Sequence, residues 1–209
     1  QNGIISAVTT AYLAGLDRGS LPSPTVIEAE LIQLVNARLA EENSGREREA
    51  KTPLLKRLTF AQVGRILAAL HHATRITPNK GSDPSLDVLG IYVTHGPDTG
   101  TYATETSRLR AVARLYNDEL TTNEWKEIEH YLLDSAPVAT VCADRDLIAV
   151  GNGVFNYATK VLQPFDPTLL FTAKIPVPYV AGAVSPVITH PKDGTVWEVE
   201  EWVHTLSDD

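Results

Sequence analysis

The stretch from Leu147 to Tyr179 constrains the fold more than any other part of the sequence. Two short apolar runs, Leu147–Val150 and Val154–Tyr157, flank the segment Gly151-Asn152-Gly153. Glycine and asparagine tolerate positive φ at low cost, so this segment predicts a tight turn between two strands. Four prolines follow, at positions 164, 167, 176 and 178. Proline removes a backbone donor and breaks a helix interior, so we expect an ordered, extended strap behind the hairpin.

The order of motifs in this stretch resembles a known family, the accessory domain that lies just before the superfamily-3 helicase in phage, plasmid and poxvirus primase-helicases. The resemblance covers roughly residues 86–206. The residues that carry it are Asn152, Gly153, Val154, Pro164, Asp166, Pro167, Pro176, Val177 and Tyr179. It implies a module that links a primase or origin-binding part to a hexameric helicase and assists DNA placement during replication.

The resemblance implies ATP and Mg²⁺ only for the downstream helicase domain. A phosphate-binding loop needs a glycine-rich turn followed by Lys and then Ser or Thr. The sequence contains no Gly-Lys pair. We therefore expect that this chain hydrolyses no ATP and needs no cofactor or catalytic residue of its own.

The resemblance also implies partners. They are the adjacent superfamily-3 helicase domain, single-stranded or forked DNA bound weakly by this chain alone, and other copies of the parent protein in a hexamer. A purely structural oligomerisation collar is an open alternative. Because the sequence starts with Gln1 and lacks methionine, we expect a piece of a longer phage or mobile-element protein.

Positive charge is concentrated in one segment. The net charge is −8, yet residues 46–80 carry eight basic and two acidic side chains. Clustered cations neutralise phosphates and give salt-sensitive, sequence-tolerant binding. The candidate DNA-binding residues are Lys56, Arg57, Arg65, Arg75 and Lys80. A solvated helix face with a charged loop is the competing interpretation.

A second hypothesis is enzymatic. Asp144 and Asp146 would share one face of a strand and could hold the divalent metals of a primase or polymerase. A polar turn before the following strand is the simpler interpretation, because no third carboxylate has a recognisable spacing. The single cysteine and the four scattered histidines show no metal-ligand spacing, and the adjacent His71 and His72 would diverge on a helix, so we expect no metal site.

The apolar runs are far shorter than the roughly 18 residues that span a bilayer. With no charged and apolar leader, this predicts a cytoplasmic protein that does not engage a membrane.

Capping boxes predict where helices begin, because a Ser or Thr followed three residues later by Glu or Gln satisfies exposed backbone donors reciprocally. The pattern occurs at Thr59/Gln62, Thr121/Glu124 and Thr195/Glu198. We expect the first of these helices to end near Ile76. The tryptophans, Trp125, Trp197 and Trp202, lie on apolar helix stripes and are expected to pack in the core.

These patterns predict an α+β fold, mainly helical with a small antiparallel β-hairpin or sheet. Val88–Val93 and Thr101–Ala103 should pair as a hairpin that brings Tyr92 and Tyr102 together. We divide the chain into a helical N-terminal region, residues 1–80, with a charged linker at 43–57, and an accessory domain, residues 81–209, that ends in a C-terminal helix.

Overall fold

The computed structural model describes residues 2–47, 50–184 and 186–207. The helices are α1 (Asn2–Gly15), α2 (Pro24–Asn43), α3 (Phe60–Leu70), α4 (Thr106–Arg114), α5 (Thr122–Ser135) and α6 (Val199–Ser207). The strands are β1 (Thr74–Thr77), β2 (Val88–Tyr92), β3 (Tyr102–Ala103), β4 (Val138–Thr140), β5 (Leu147–Val150), β6 (Gly153–Asn156), β7 (Val161–Gln163), β8 (Val187–Thr189) and β9 (Val196–Glu198). The fold is therefore α+β, as predicted. Within these ranges, no helix is long and apolar enough to cross a bilayer.

The strands form small sheets. The largest has the order β3-β2-β1-β4, in which β1 pairs with β4 in parallel and the other neighbours are antiparallel. The predicted hairpin is present, with Tyr92 opposite Tyr102 and the two ring centroids 5.4 Å apart. Strands β5, β6 and β7 form an antiparallel sheet around the predicted turn, and β8 pairs with β9.

Two of the predicted capping boxes are confirmed. Thr59 with Gln62 opens α3, and Thr121 with Glu124 opens α5, each with both reciprocal hydrogen bonds. The third box is wrong. Thr195 instead donates to the Asp193 carboxylate through its hydroxyl and its backbone N–H, and α6 begins only at Val199. The aspartate two residues back offers Thr195 a tighter local turn than Glu198 does.

The predicted end of α3 near Ile76 is also wrong. The helix ends at Leu70, His72 adopts a φ of 48°, and residues 74–77 form β1. Thr74 and Ile76 are buried while the residues between and after them are less so. Their β-branched side chains suit a strand, and the backbone bonds offered by β2 and β4 outweigh continuation of the helix.

One hydrophobic core joins the N-terminal helices to β2, β3, α4 and α5. It includes Leu13 of α1, Leu31 of α2, Leu67 of α3, Ile91 of β2 and Ile128 of α5. The core therefore runs across residue 80, and the domain division there stays a prediction. The charged segment after α2 is held to that helix, because the amides of Asn36 and Asn43 hydrogen-bond the backbone of Leu55 and Thr52.

The C-terminal hairpin and helix differ from the rest in exposure. All residues of β8 and β9 are exposed. Trp125 is buried as predicted, at 3% exposure, but Trp197 and Trp202 are 53% and 50% exposed, so their predicted core positions are wrong. The helical spacing of the sequence also predicts that Val203 and Leu206 share the face of Trp202, but their side chains lie outside the described residues.

We expect stability to fall as the pH is lowered, because of His71. Burial, with a smaller effect of His72, lowers the pKa of His71 from 6.5 to about 4. The unfolded chain takes up the proton near pH 6.5 while the folded chain resists it, so this contribution is complete above pH 6.5 and is lost towards pH 4. At pH 5 the loss is about 2 kcal/mol. Urea unfolding between pH 7.5 and 5 measures it.

The matched control for His71 is His71→Gln, which cannot titrate in this range. Its side chain can still bond the Tyr116 hydroxyl, which lies 2.9 Å from the His71 Nε2 atom. The variant should lose about 2 kcal/mol less than the native chain over the same pH interval. Equal losses in the two proteins would contradict the assignment to His71.

Candidate functional site

The turn between β5 and β6 is hydrogen-bonded to the proline-containing strap that follows the β5–β7 sheet. The Asn152 amide donates to the Tyr179 carbonyl at 3.0 Å, and its Oδ1 accepts from the Tyr179 N–H at 2.8 Å. Beside it, the Gly151 N–H donates to the Val177 carbonyl at 2.9 Å. An added Cβ at Gly151 would lie 2.7 Å from the Pro176 carbonyl oxygen, so only glycine permits this approach.

Packing beneath the turn reinforces these hydrogen bonds between the turn and the strap. Val154 is 1% exposed, and the ring of Phe155 stacks on Tyr179 with centroids 4.2 Å apart. A Cβ at Gly153 would lie 2.4 Å from the Gln163 carbonyl oxygen of β7. These residues explain why the motif needs its small and apolar members: they hold the hairpin and the strap together.

The first half of the strap is tied to the β2–β3 hairpin. The Tyr102 hydroxyl donates to the Pro167 carbonyl at 2.8 Å, and the Tyr102 N–H donates to the Phe171 carbonyl at 2.7 Å. The Asp166 carboxylate accepts from the Thr168 N–H at 2.8 Å, which holds its pKa below the ordinary value. Leu170, at 4% exposure, packs in one cluster with Tyr92 and Tyr102. The strap thus bridges two sheets.

Two of the five candidate DNA-binding residues are neutralised within the chain. Arg57 lies 3.0 Å from the Glu124 carboxylate and 3.6 Å from that of Glu119. Arg75 lies 2.9 Å from the Asp87 carboxylate and donates to the Leu133 carbonyl. Their partners Glu124 and Leu133 lie nine residues apart on α5, about 14 Å along its axis. The structure therefore does not bring Arg57 and Arg75 together.

The other three candidates keep more of their charge available. Arg65 stands 5.8 Å from the centre of the Tyr131 ring and 3.4 Å from the Thr10 hydroxyl. Lys56 and Lys80 are exposed, and neither has an ion pair in the described ranges. The assignment of the five residues to DNA stays a prediction, and these three suit it best.

A cationic surface that the sequence reasoning missed lies elsewhere. Arg110 and Arg114 of α4 and Lys126 of α5 line one cleft between the two helices. The sequence signal for it is the set of basic residues in α4, Arg108, Arg110 and Arg114. Because the cations come from two helices separated by a turn, their proximity follows only from how the helices pack.

The carboxylates of the enzymatic hypothesis occupy a turn rather than a strand. Asp144 Oδ1 accepts the Asp146 N–H at 2.9 Å, and β5 begins only at Leu147. The simpler interpretation of Asp144 and Asp146 is therefore the one that the local geometry supports. Across the parts of the chain that the structure describes, no three His, Cys, Asp or Glu side chains are grouped to hold a metal ion.

A single family model spans the β5–β6 hairpin, the strap and the cleft. The family model described as D5 N terminal like matches residues 64–208, which is more than half of the chain. The match begins inside α3, upstream of the boundary near residue 86 that the motifs suggested. It includes Arg65, Arg75 and Lys80 but not Lys56 or Arg57. No curated protein matches the chain.

Proposed function

Since the chain belongs to the D5 N-terminal-like family, the domain that precedes the superfamily-3 helicase in primase-helicases, we propose that it is a non-catalytic accessory module of such a protein. In this role it links a primase or origin-binding part to a hexameric helicase and assists DNA placement during replication. ATP and Mg²⁺ belong to the helicase domain of the parent protein. The chain itself contributes a rigid connection and a surface for DNA.

The hydrogen bonds that hold the strap to the β5–β6 turn are the observation that carries this proposal. Asn152 uses both its amide nitrogen and its amide oxygen on Tyr179, and Gly151 bonds Val177. These polar groups of the family motif are thus already used in contacts within the chain. A scaffold needs such contacts, because a linker that transmits the position of a motor has to resist deformation.

The exposed β8–β9 strand pair and the acidic residues near the C-terminus support a role in binding another protein. Ile188 and Trp197 are opposite each other in the β8–β9 pair and are both 53% exposed. From Asp193 onward the sequence has six acidic residues and no Lys or Arg. A solvent-facing apolar strand pair with acidic neighbours suits a partner surface that is apolar and basic. We propose the adjacent helicase domain as that partner.

A DNA titration tests the DNA-facing part of the proposal. We expect weak binding of single-stranded and forked DNA, measured by fluorescence anisotropy, that weakens as salt is raised. The double variant Lys56→Gln/Lys80→Gln should reduce the slope of log K against log salt by about 1.4, or about 0.7 for each cation lost on a single strand.

The control variant for this titration is Arg145→Gln, which removes an exposed cation in the turn before β5 and should leave the slope unchanged. The absence of DNA binding at every salt concentration would remove the DNA-facing role. The link to the helicase would then remain as the whole of the proposed function.

A further inference from the structure

The cleft between α4 and α5 has a volume of about 650 Å³. The charged residues that line it in the described structure are Arg110, Arg114 and Lys126, together with the carboxylate of Glu129. Arg114 and Lys126 are exposed and have no ion pair in the described ranges. The cleft is therefore a local region of positive charge on a chain whose net charge is −8.

Two buried donors beside this cleft have no hydrogen-bond partner among the described residues. They are the Nε atom of Arg110 and the indole nitrogen of Trp125, and Trp125 is 3% exposed. Both atoms are N–H groups that can only donate. An unpaired buried donor costs about 1–3 kcal/mol, so such groups are usually found where an acceptor completes them. An acceptor-rich ligand in the cleft is the kind of group that could do so after a small adjustment of the Arg110 side chain.

The hydroxyl groups in the first turn of α4 and the N-terminus of that helix also suit an acceptor-rich, anionic ligand. Thr106 and Ser107 form the first turn of α4, and both line the cleft. Glu105 precedes them but makes no side-chain capping hydrogen bond. The backbone N–H groups of the first turn are thus not capped by that side chain, and uncapped N–H groups at a helix N-terminus favour an anion.

We propose that the cleft between α4 and α5 is a phosphate-binding site. Arg110, Arg114 and Lys126 supply the charge, while the hydroxyls of Ser107 and Thr122 supply neutral donors. Arg110 is prepositioned, because its guanidinium already donates to the Thr122 hydroxyl at 3.2 Å. The phosphate belongs either to the backbone of a DNA strand or to a free nucleotide. The DNA source rests on the proposed function, whereas the phosphate chemistry of the cleft does not.

Stacking of a nucleobase does not explain the cleft equally well. Among the described residues that line it, the aromatic ring is that of Trp125, whose side chain is 3% exposed and belongs to the hydrophobic core cluster. A base needs an accessible aromatic face, so base recognition by stacking is excluded at this position. Recognition through the phosphate remains, and it predicts tolerance of any base.

The indole N–H signal of Trp125 reports on the cleft directly. Nuclear magnetic resonance spectra of the ¹⁵N-labelled chain should show a shift of this signal when thymidine monophosphate or a single-stranded 20-mer of thymidine is added. The signal is assigned by its absence in Trp125→Phe. The double variant Arg114→Gln/Lys126→Gln changes two exposed side chains, so it should fold normally and weaken binding of either probe about tenfold or more. Arg145→Gln should bind like the native chain.

The outcomes distinguish the sources of the phosphate. A shift with the oligonucleotide alone supports a backbone phosphate. A shift with the mononucleotide alone supports a free nucleotide and leaves the site standing even if the proposed DNA-facing role fails. A shift with both probes supports a site that accepts either phosphate. No shift with either probe, or equal affinity in the double variant and the native chain, overturns the proposal.

Discussion

Replacing Gly100 with alanine is expected to lower the free energy of unfolding by about 2–5 kcal/mol, because backbone strain and overpacking act together there. Gly100 has a φ of +90°, which L-amino acids with a Cβ rarely adopt. An added Cβ would also lie 2.1 Å from the Phe165 ring of the strap. The ring would have to move by more than an ångström, away from the contact that ties the strap to the β2–β3 loop. Denaturant unfolding at constant pH measures the loss.

The matched control for this substitution is Gly96→Ala in the same loop. Gly96 has a φ of +88°, but nothing lies within 4 Å of its added Cβ. It therefore reports the backbone strain alone, about 1–2 kcal/mol. The difference between the two variants isolates the contact with Phe165. Equal losses in Gly100→Ala and Gly96→Ala would show that the strap does not rely on this packing.

Arg75→Ala is expected to destabilise the fold by about 2–4 kcal/mol. Asp87, its ion-pair partner, has a side chain that is only 5% exposed. Removing the guanidinium leaves a carboxylate buried without its counter-charge, which costs about 3–5 kcal/mol for a fully buried pair and less here, since the Arg75 side chain is 31% exposed. The Leu133 carbonyl at the end of α5 also loses its donor. Chemical denaturation of the variant measures the effect.

A double-mutant cycle identifies the cause. In Arg75→Ala/Asp87→Asn the uncompensated charge is gone, so part of the lost stability should return. Arg65→Ala removes a cation that forms no ion pair in the described structure, and it should cost no more than about 1 kcal/mol. If Asp87→Asn restores nothing, the effect of Arg75 does not arise from the ion pair. Where Arg75→Ala still folds, its DNA affinity should match the native value, because the charge of Arg75 is already paired with that of Asp87.

The difference between loss of stability and loss of DNA binding matters for testing the five candidate DNA-binding residues. A loss of DNA binding in Arg57 or Arg75 variants would be ambiguous, since both residues hold elements of the fold together. Lys56, Lys80 and the exposed cations of the cleft, Arg114 and Lys126, are the informative positions. Substitutions there change the charge that faces solvent and leave the core intact.

The sequence by itself determined the features that depend on near neighbours. The turn at Gly151-Asn152, the caps at Thr59 and Thr121, and the hairpin that pairs Tyr92 with Tyr102 were all predicted correctly. Each rests on interactions between residues that are a few positions apart or joined by a short loop. The wrong capping box at Thr195 shows the limit of such patterns, because Asp193 offered an equally local competitor.

Only the tertiary structure decided how distant segments meet. The parallel pairing of β1 with β4 shortened α3 relative to its predicted length. The ion pair with Asp87 neutralises Arg75, and the packing of α4 on α5 brings together the residues that line the cleft. The physical reason is that these contacts depend on the relative placement of elements that share one core. The spacing of residues along the chain reports only local geometry, so it carries no signal for them.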